Sequence, residues 1–309
     1  MEPITNELNR RFKNHPEFRQ RYQQLIDTTL KDKDVRHFLE THRDELAPET
    51  VDRGMSKLYE FVQTKKALAA GKPVALPGYL PQLVLSKHQI EVQYVPSDQL
   101  QAQRVARARR ERVTLYGMPK SIANADLATY VPDNREEALN AAIKFTVDYE
   151  ATPAQFHRGL YLAGSFGVGK TYLLGAIANE LAKHGFKTTM VHVPTLATMM
   201  RAAIDKHATN DLLATVKATP VLMLDDLGAM AMSSWFRDEI FGVILEYRMQ
   251  QELPTFFSAN ITMDELENNY LAVNTKDEVE PLKAKRLMER IRFLATEYDL
   301  VGKNWRNPS

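Results

Sequence analysis

Eight consecutive residues, Gly164, Ser165, Phe166, Gly167, Val168, Gly169, Lys170 and Thr171, carry the spacing G-x-x-x-x-G-K-[ST]. A short apolar run over 159–163 precedes them, and a helical pattern over 172–181 follows. Strand, glycine-rich turn and helix in that order are the context in which this pattern cradles a polyphosphate. The glycines let the backbone curl with its N–H groups inward, and the helix N-terminus adds partial positive charge. In such a loop Lys170 reaches the β- and γ-phosphates of a bound nucleotide, and the Thr171 hydroxyl ligates Mg²⁺.

Three stretches downstream carry groups that would complete a phosphoryl-transfer site. Pro220 to Leu224 is apolar and ends in Asp225 and Asp226. A buried parallel strand reads as a continuous apolar run, and its end is where a carboxylate can face a nucleotide. Asp225 is expected in the Mg²⁺ shell, and Asp226 is expected to orient or deprotonate the attacking water. Thr255 to Ala259 reads as the next strand and ends in Asn260. That asparagine suits a hydrogen bond to the water or the γ-phosphate, and equally suits a cap for a helix over 262–269. Arg286 and Arg290 share one face of a basic amphipathic helix over 282–293. Their spacing fits a solvated charge stripe, and also an arginine that stabilises the charge of a transferring phosphoryl group.

These groups need a scaffold, and the chain supplies a pattern for one. From residue 134 onward a helix over 136–149 and strands over 159–163, 187–193, 219–224 and 254–259 alternate with helical segments. Such alternation means a parallel sheet covered by helices, with ligands at the carboxyl ends of the strands. Before it, apolar residues recur at helical spacing in three sets: Phe18, Tyr22, Leu25, Ile26 and Leu30; Val35, Phe38 and Leu39; Met55, Leu58, Tyr59, Phe61 and Val62. Residues 76–85 and 89–95 read as turns and two short strands. The arginine-rich stretch 101–112 reads as a linker helix, without interleaved aromatics that would stack nucleic-acid bases. The expected organisation is an N-terminal domain over 1–97, a linker over 98–133 and an ATPase domain over 134–309.

Composition removes other classes. The 309 residues carry a formal net charge of +1, so no global basic field marks a nucleic-acid binder. There is no cysteine, which excludes disulfides and thiolate metal sites, and zinc is not expected. No apolar run approaches the ~20 residues of a membrane span. The polar start lacks a signal-peptide core, so a cytoplasmic protein with no membrane partner is expected.

Taken together, Gly164 to Leu174, Leu224 to Ala229, Phe257 to Asn260 and Arg286 to Arg290 resemble the AAA+ ATPases of the DnaI/DnaC helicase-loader family. Ser234 to Glu239, Met118 to Lys120 and Gly78 to Pro81 extend the likeness over most of the chain. The resemblance implies an α/β AAA+ P-loop NTPase with a parallel sheet flanked by helices, preceded by a smaller, mainly helical N-terminal domain with a short β unit. It implies that residues 164–171 are Walker A, Asp225 and Asp226 Walker B, and Asn260 sensor 1. It also implies that Arg290 is the arginine finger, with Arg286 as runner-up. The N-terminal domain would bind the hexameric replicative helicase, and the ATPase domain would bind single-stranded DNA and self-associate with nucleotide. The implied function is ATP-dependent loading of that helicase onto single-stranded DNA in primosome assembly. An IstB-type transposition-associated ATPase shares the core and is the alternative.

Three features depart from the family pattern. The zinc site usual in the N-terminal domain of DnaI proteins cannot be present in its cysteine-containing form. Apolar packing of Tyr79, Leu83, Leu85, Ile90, Val92 and Tyr94 is expected to hold the small β unit instead. Nineteen residues follow Arg290, so the helical lid of many AAA+ proteins, with its sensor-2 arginine, is not expected. Asp226 stands where many AAA+ ATPases have glutamate; being one methylene shorter, it is expected to hold water less well and to make hydrolysis slow and partner-stimulated.

Overall fold

The structure, a computed structural model, describes residues 16–272 and 280–305, without the side chains of Pro16, Phe18 and Pro48. Phe18, the first position of the first apolar stripe, thus lies outside the described side chains. The chain divides into two compact units at Val105/Ala106.

The first unit begins with α1 (Pro16–Leu30), α2 (Lys33–Thr41) and α3 (Pro48–Ala69). Asp32 caps α2 by accepting from the Asp34 amide, and Lys65 on α3 bridges Asp32 and Asp34 at 2.7 and 2.6 Å. A hairpin follows, β1 (Tyr79–Ser86) and β2 (Gln89–Pro96), antiparallel with Ser86 opposite Gln89. Lys87 and His88 both take positive φ, the mirror-image turn that a two-residue hairpin requires. The core is Val35, Phe38, Leu58, Phe61 and Val62 from the helices with Leu83 and Ile90 from the hairpin; Leu85 and Val92 pack at its margin. The tyrosines expected in this packing work at their polar ends: Tyr94 donates to Glu60 at 3.0 Å, and Tyr79 accepts from Arg104 at 2.6 Å.

Helix α4 (Asp98–Glu111) contains the division between the units. Beyond it lies a six-stranded sheet: β3 (Val113–Tyr116), β4 (Gly159–Ala163), β5 (Thr188–His192), β6 (Val221–Leu227), β7 (Thr255–Ala259) and β8 (Ala295–Asp299). The order across the sheet is β3-β5-β6-β7-β4-β8, and every neighbouring pair is parallel. The sheet therefore has two strands more than the apolar runs predicted. One of them, β3, lies within the stretch read as a linker.

Both faces of the sheet are covered, which explains the unbroken apolar runs. Successive residues point to opposite sides, so Leu160, Leu162, Val221, Met223 and Phe256 enter one core with α5 (Glu136–Ala151) and α6 (Lys170–Lys183). Tyr161, Ala163, Leu222, Leu224 and Phe257 enter the other core. That second core is completed by α7 (Val193–Ile204), α8 (Thr209–Lys217), α9 (Gly242–Gln250) and α10 (Pro281–Leu294). Because all strands run the same way, the carboxyl ends of β4, β5, β6 and β7 meet along one edge. Among the described residues no helix is long and apolar enough to cross a membrane.

Candidate functional site: a nucleotide cavity at the carboxyl edge of the sheet

The turn from β4 into α6 forms one wall of the site. Gly169 caps α6 with φ of +97°, a region closed to most side chains, and a Cβ there would lie 3.2 Å from the Arg135 guanidinium. Gly167, at φ of +79°, is more constrained, since a Cβ would meet the Asn304 side chain at 1.9 Å. Val168 is fully buried and ties the turn to the core, while Phe166 at the apex is 65% exposed. The buried Lys170 ammonium donates to Gly164 O at 2.7 Å, Ser165 O at 2.9 Å and Asn260 Oδ1 at 2.8 Å.

The opposite wall comes from β6 and β7. Between Leu224 and Leu227 the register of β6 on β7 slips by one residue, a bulge that falls on the aspartate pair. Its effect is to send the two carboxylates different ways. Asp225 is 4% exposed; it accepts from Thr171 Oγ1 at 2.9 Å and from Ser258 Oγ at 2.6 Å. Burial pushes its carboxyl above the ordinary value, against those two hydrogen bonds, and the neighbouring Asp226 charge adds to the rise. Asp226 takes φ of +61°, and its amide donates to Ser258 Oγ at 3.0 Å. Its half-exposed carboxylate meets Asn260 Nδ2 at 3.3 Å and His192 Nε2, from the end of β5, at 3.4 Å.

These residues line one cavity of about 680 Å³, which includes Lys170, Thr171, Asp225, Asp226, Asn260 and His192. Helix N-terminus, lysine, hydroxyl and paired carboxylates are the donor set that a triphosphate with a hard divalent cation requires. Gly169 lines the cavity too, and its left-handed φ lets the backbone turn into α6 there. The arrangement fits ATP and Mg²⁺.

Arg290 stands apart from this cavity. It borders a second one with Gly242, Glu246 and Tyr247, pairs with Glu246 and donates to Gly242 O at 3.2 Å. Arg286 is exposed on the same helix. The cap of the helical segment after β7 is Thr262, in a capping box with Glu265, which leaves Asn260 for the cavity.

Sequence reasoning missed three contributors. Ser258 lies inside the strand read over 254–259 and is the only hydroxyl in the second half of β7, so its signal was there. His192 is the polar residue that ends β5. Arg135 carried no signal: its buried guanidinium bonds Val131 O at 2.8 Å, Pro132 O at 2.9 Å and Val168 O, fastening the segment before α5 to the phosphate loop.

A family model described as the primosomal protein DnaI N-terminus matches residues 1–94, and one described as IstB-like ATP binding protein matches residues 98–271. The replicative helicase loader DnaI of Bacillus subtilis (strain 168) is 35% identical over 100% of this chain and 100% of its own length. The chain belongs to the DnaI family. A crystal structure of DnaI is 42% identical, with a TM-score of 0.55 over 64% of this chain and 99% of that one. A crystal structure of the DnaC helicase loader is 26% identical, with a TM-score of 0.50 over 59% of this chain and 100% of that one. The IstB-like model covers only the ATP-binding part of this DnaI-family chain, whereas the DnaI likeness runs through the N-terminal unit as well.

Proposed function

We propose that this chain is an ATP-dependent loader of the replicative DNA helicase onto single-stranded DNA. The observation that carries the reading is the joining, in one DnaI-family chain, of the cavity holding Lys170, Thr171, Asp225 and Asn260 to a unit that matches the DnaI N-terminus. The N-terminal domain, taken as residues 1–97, grips the hexameric helicase. The ATPase domain contacts single-stranded DNA and associates with further copies of itself, and the protein works in the cytoplasm.

The chemistry follows from the residues. Lys170 holds the β- and γ-phosphates, with amides of the phosphate loop around them. Thr171 and Asp225 would hold Mg²⁺, which would neutralise phosphate charge. Asp226 accepts the proton of the attacking water, and Asn260 fixes the carboxylate while touching Lys170. Arg290 leaves Glu246 to meet the γ-phosphate held by a neighbouring copy. The short Asp226 side chain, already engaged by Asn260 and His192, makes turnover slow, as a nucleotide switch requires.

The test is co-purification of the full chain with the hexameric helicase, followed by loading onto circular single-stranded DNA with ATP. Lys170→Ala should abolish ATP binding and loading, and Asp226→Ala should keep ATP binding while blocking hydrolysis. Loading that survives both substitutions would make this a nucleotide-independent adaptor, and capture of a transposase in place of the helicase would overturn the loader reading.

A further inference from the structure

Past β8 the chain runs along the phosphate loop and is tied to it at two points. The Leu300 amide donates to Ala163 O at 2.7 Å, where the loop begins, and the Trp305 amide donates to Gly167 O at 3.0 Å, near its apex. Leu300 is buried in the same core as Val168, whereas residues 301–305 are exposed. We infer that residues 300–305 form a strap that sets the shape of the phosphate loop, with Asn304 as its positioning residue. The inference rests on the reading of that loop as a phosphate site given above.

Two glycines of the loop give the strap its room. At Gly164, with φ of +152°, a Cβ would lie 2.3 Å from Leu300 O. At Gly167 a Cβ would lie 1.9 Å from Asn304 Oδ1 and 2.5 Å from Asn304 Cγ. Both distances fall far inside the ~3.5 Å at which non-bonded heavy atoms pack. The pattern G-x-x-x-x-G-K-[ST] fixes Gly164 and Gly169 and leaves position 167 open, so spacing alone does not account for a glycine there. Its positive φ accounts for part, since asparagine and aspartate also enter that region. The Asn304 side chain, set against the Gly167 backbone, closes the position to them as well.

A third contact holds the strap from its other side. A Cβ on Gly302 would lie 3.2 Å from Asp133 O and 3.6 Å from Arg135 Cζ, and Arg135 itself donates to Val168 O. The strap is thus fitted between the loop and the segment before α5, and the turn is gripped at Ala163, Gly167 and Val168. The grip bears on binding because loop amides take a phosphate only while they point inward. A glycine-rich turn left free loses conformational entropy on each binding event; one already held has less to lose.

Inorganic tripolyphosphate, which has phosphates and no base, is titrated beside ATP against the full chain and its variants. Asn304→Ala removes the atoms that meet Gly167 and keeps the buried Leu300; it should weaken tripolyphosphate and ATP alike, by about fivefold. In hydrolysis the loss should fall on KM and not on kcat, because Asp226 and Asn260 stand on the opposite wall. Gly167→Ala should weaken tripolyphosphate about a hundredfold in the full chain. Added to Asn304→Ala it should cost only about tenfold more, the part due to left-handed strain. A Gly167→Ala penalty equal in both backgrounds would mean that the strap does not bear on the loop. Weakening of ATP without tripolyphosphate, or a fall in kcat at unchanged KM, would place Asn304 elsewhere in the reaction; each of these results overturns the proposal. Lys170→Ala separates the two readings, since tripolyphosphate binding that survives it refutes the phosphate-loop assignment whatever Asn304→Ala does.

Discussion

Lys170 donates to Asn260 Oδ1 at 2.8 Å, and the other end of the same amide reaches Asp226 Oδ1 at 3.3 Å. One side chain at the end of β7 thus touches both the lysine assigned to the phosphates and the carboxylate assigned to the attacking water. The amide can do this because β7 lies between β4 and β6 in the sheet.

Asn260→Ala should therefore uncouple binding from chemistry. Lys170 keeps its two loop carbonyls, so ATP affinity should fall by less than about tenfold, while turnover drops on the order of a hundredfold. Equilibrium titration beside single-turnover hydrolysis reads both. A variant with unimpaired turnover would remove Asn260 from the chemistry.

Asp225 gives the site a pH dependence with a definite sign. Its carboxyl is raised by burial, and only the ionised form ligates a cation. As pH falls, protonation sets in at a higher pH than for an ordinary aspartate, so the Mg²⁺-dependent part of ATP affinity should decline there. Asp225→Asn should abolish that part at every pH. Titrations across pH, with and without Mg²⁺, check this; a Mg²⁺ increment that persists in Asp225→Asn would contradict it.

Arg290 is assigned to a neighbour's site. Arg290→Ala should leave ATP binding intact and reduce assembled turnover about a thousandfold. Mixing it with Lys170→Ala copies should recover activity, because each variant supplies what the other lacks. A flat turnover curve across mixing ratios would argue against action between copies.

Arg248 is a structural counterpart. Fully buried, it donates to Thr255 Oγ1 at 2.7 Å and to the carbonyls of Lys217, Thr219 and Pro254 at 2.9, 2.7 and 2.7 Å. Burial pulls its guanidinium down to about 9, so it remains charged at neutral pH. Arg248→Met strands those acceptors where β6 and β7 begin and should cost about 3–5 kcal/mol. The urea midpoint of the ATPase unit should fall accordingly, at unchanged m-value.

Four of the six strands, and the residues of the glycine-rich turn, the aspartate pair and Asn260 that meet at one cavity, were readable from residue order alone, because each is a local pattern whose period or spacing carries its meaning. The strands β3 and β8 were not. The first is four residues long, and the second, Ala295–Asp299, holds two acids; what makes them strands is pairing with β5 and β4, a partner far off in the chain. The same reason hid the bulge that parts Asp225 from Asp226, and the convergence of Arg135, His192 and Trp305 on the cavity. Residue types announce what a segment can do, but a side chain's protonation, partner and reach depend on neighbours that only the folded sheet brings within a few ångströms.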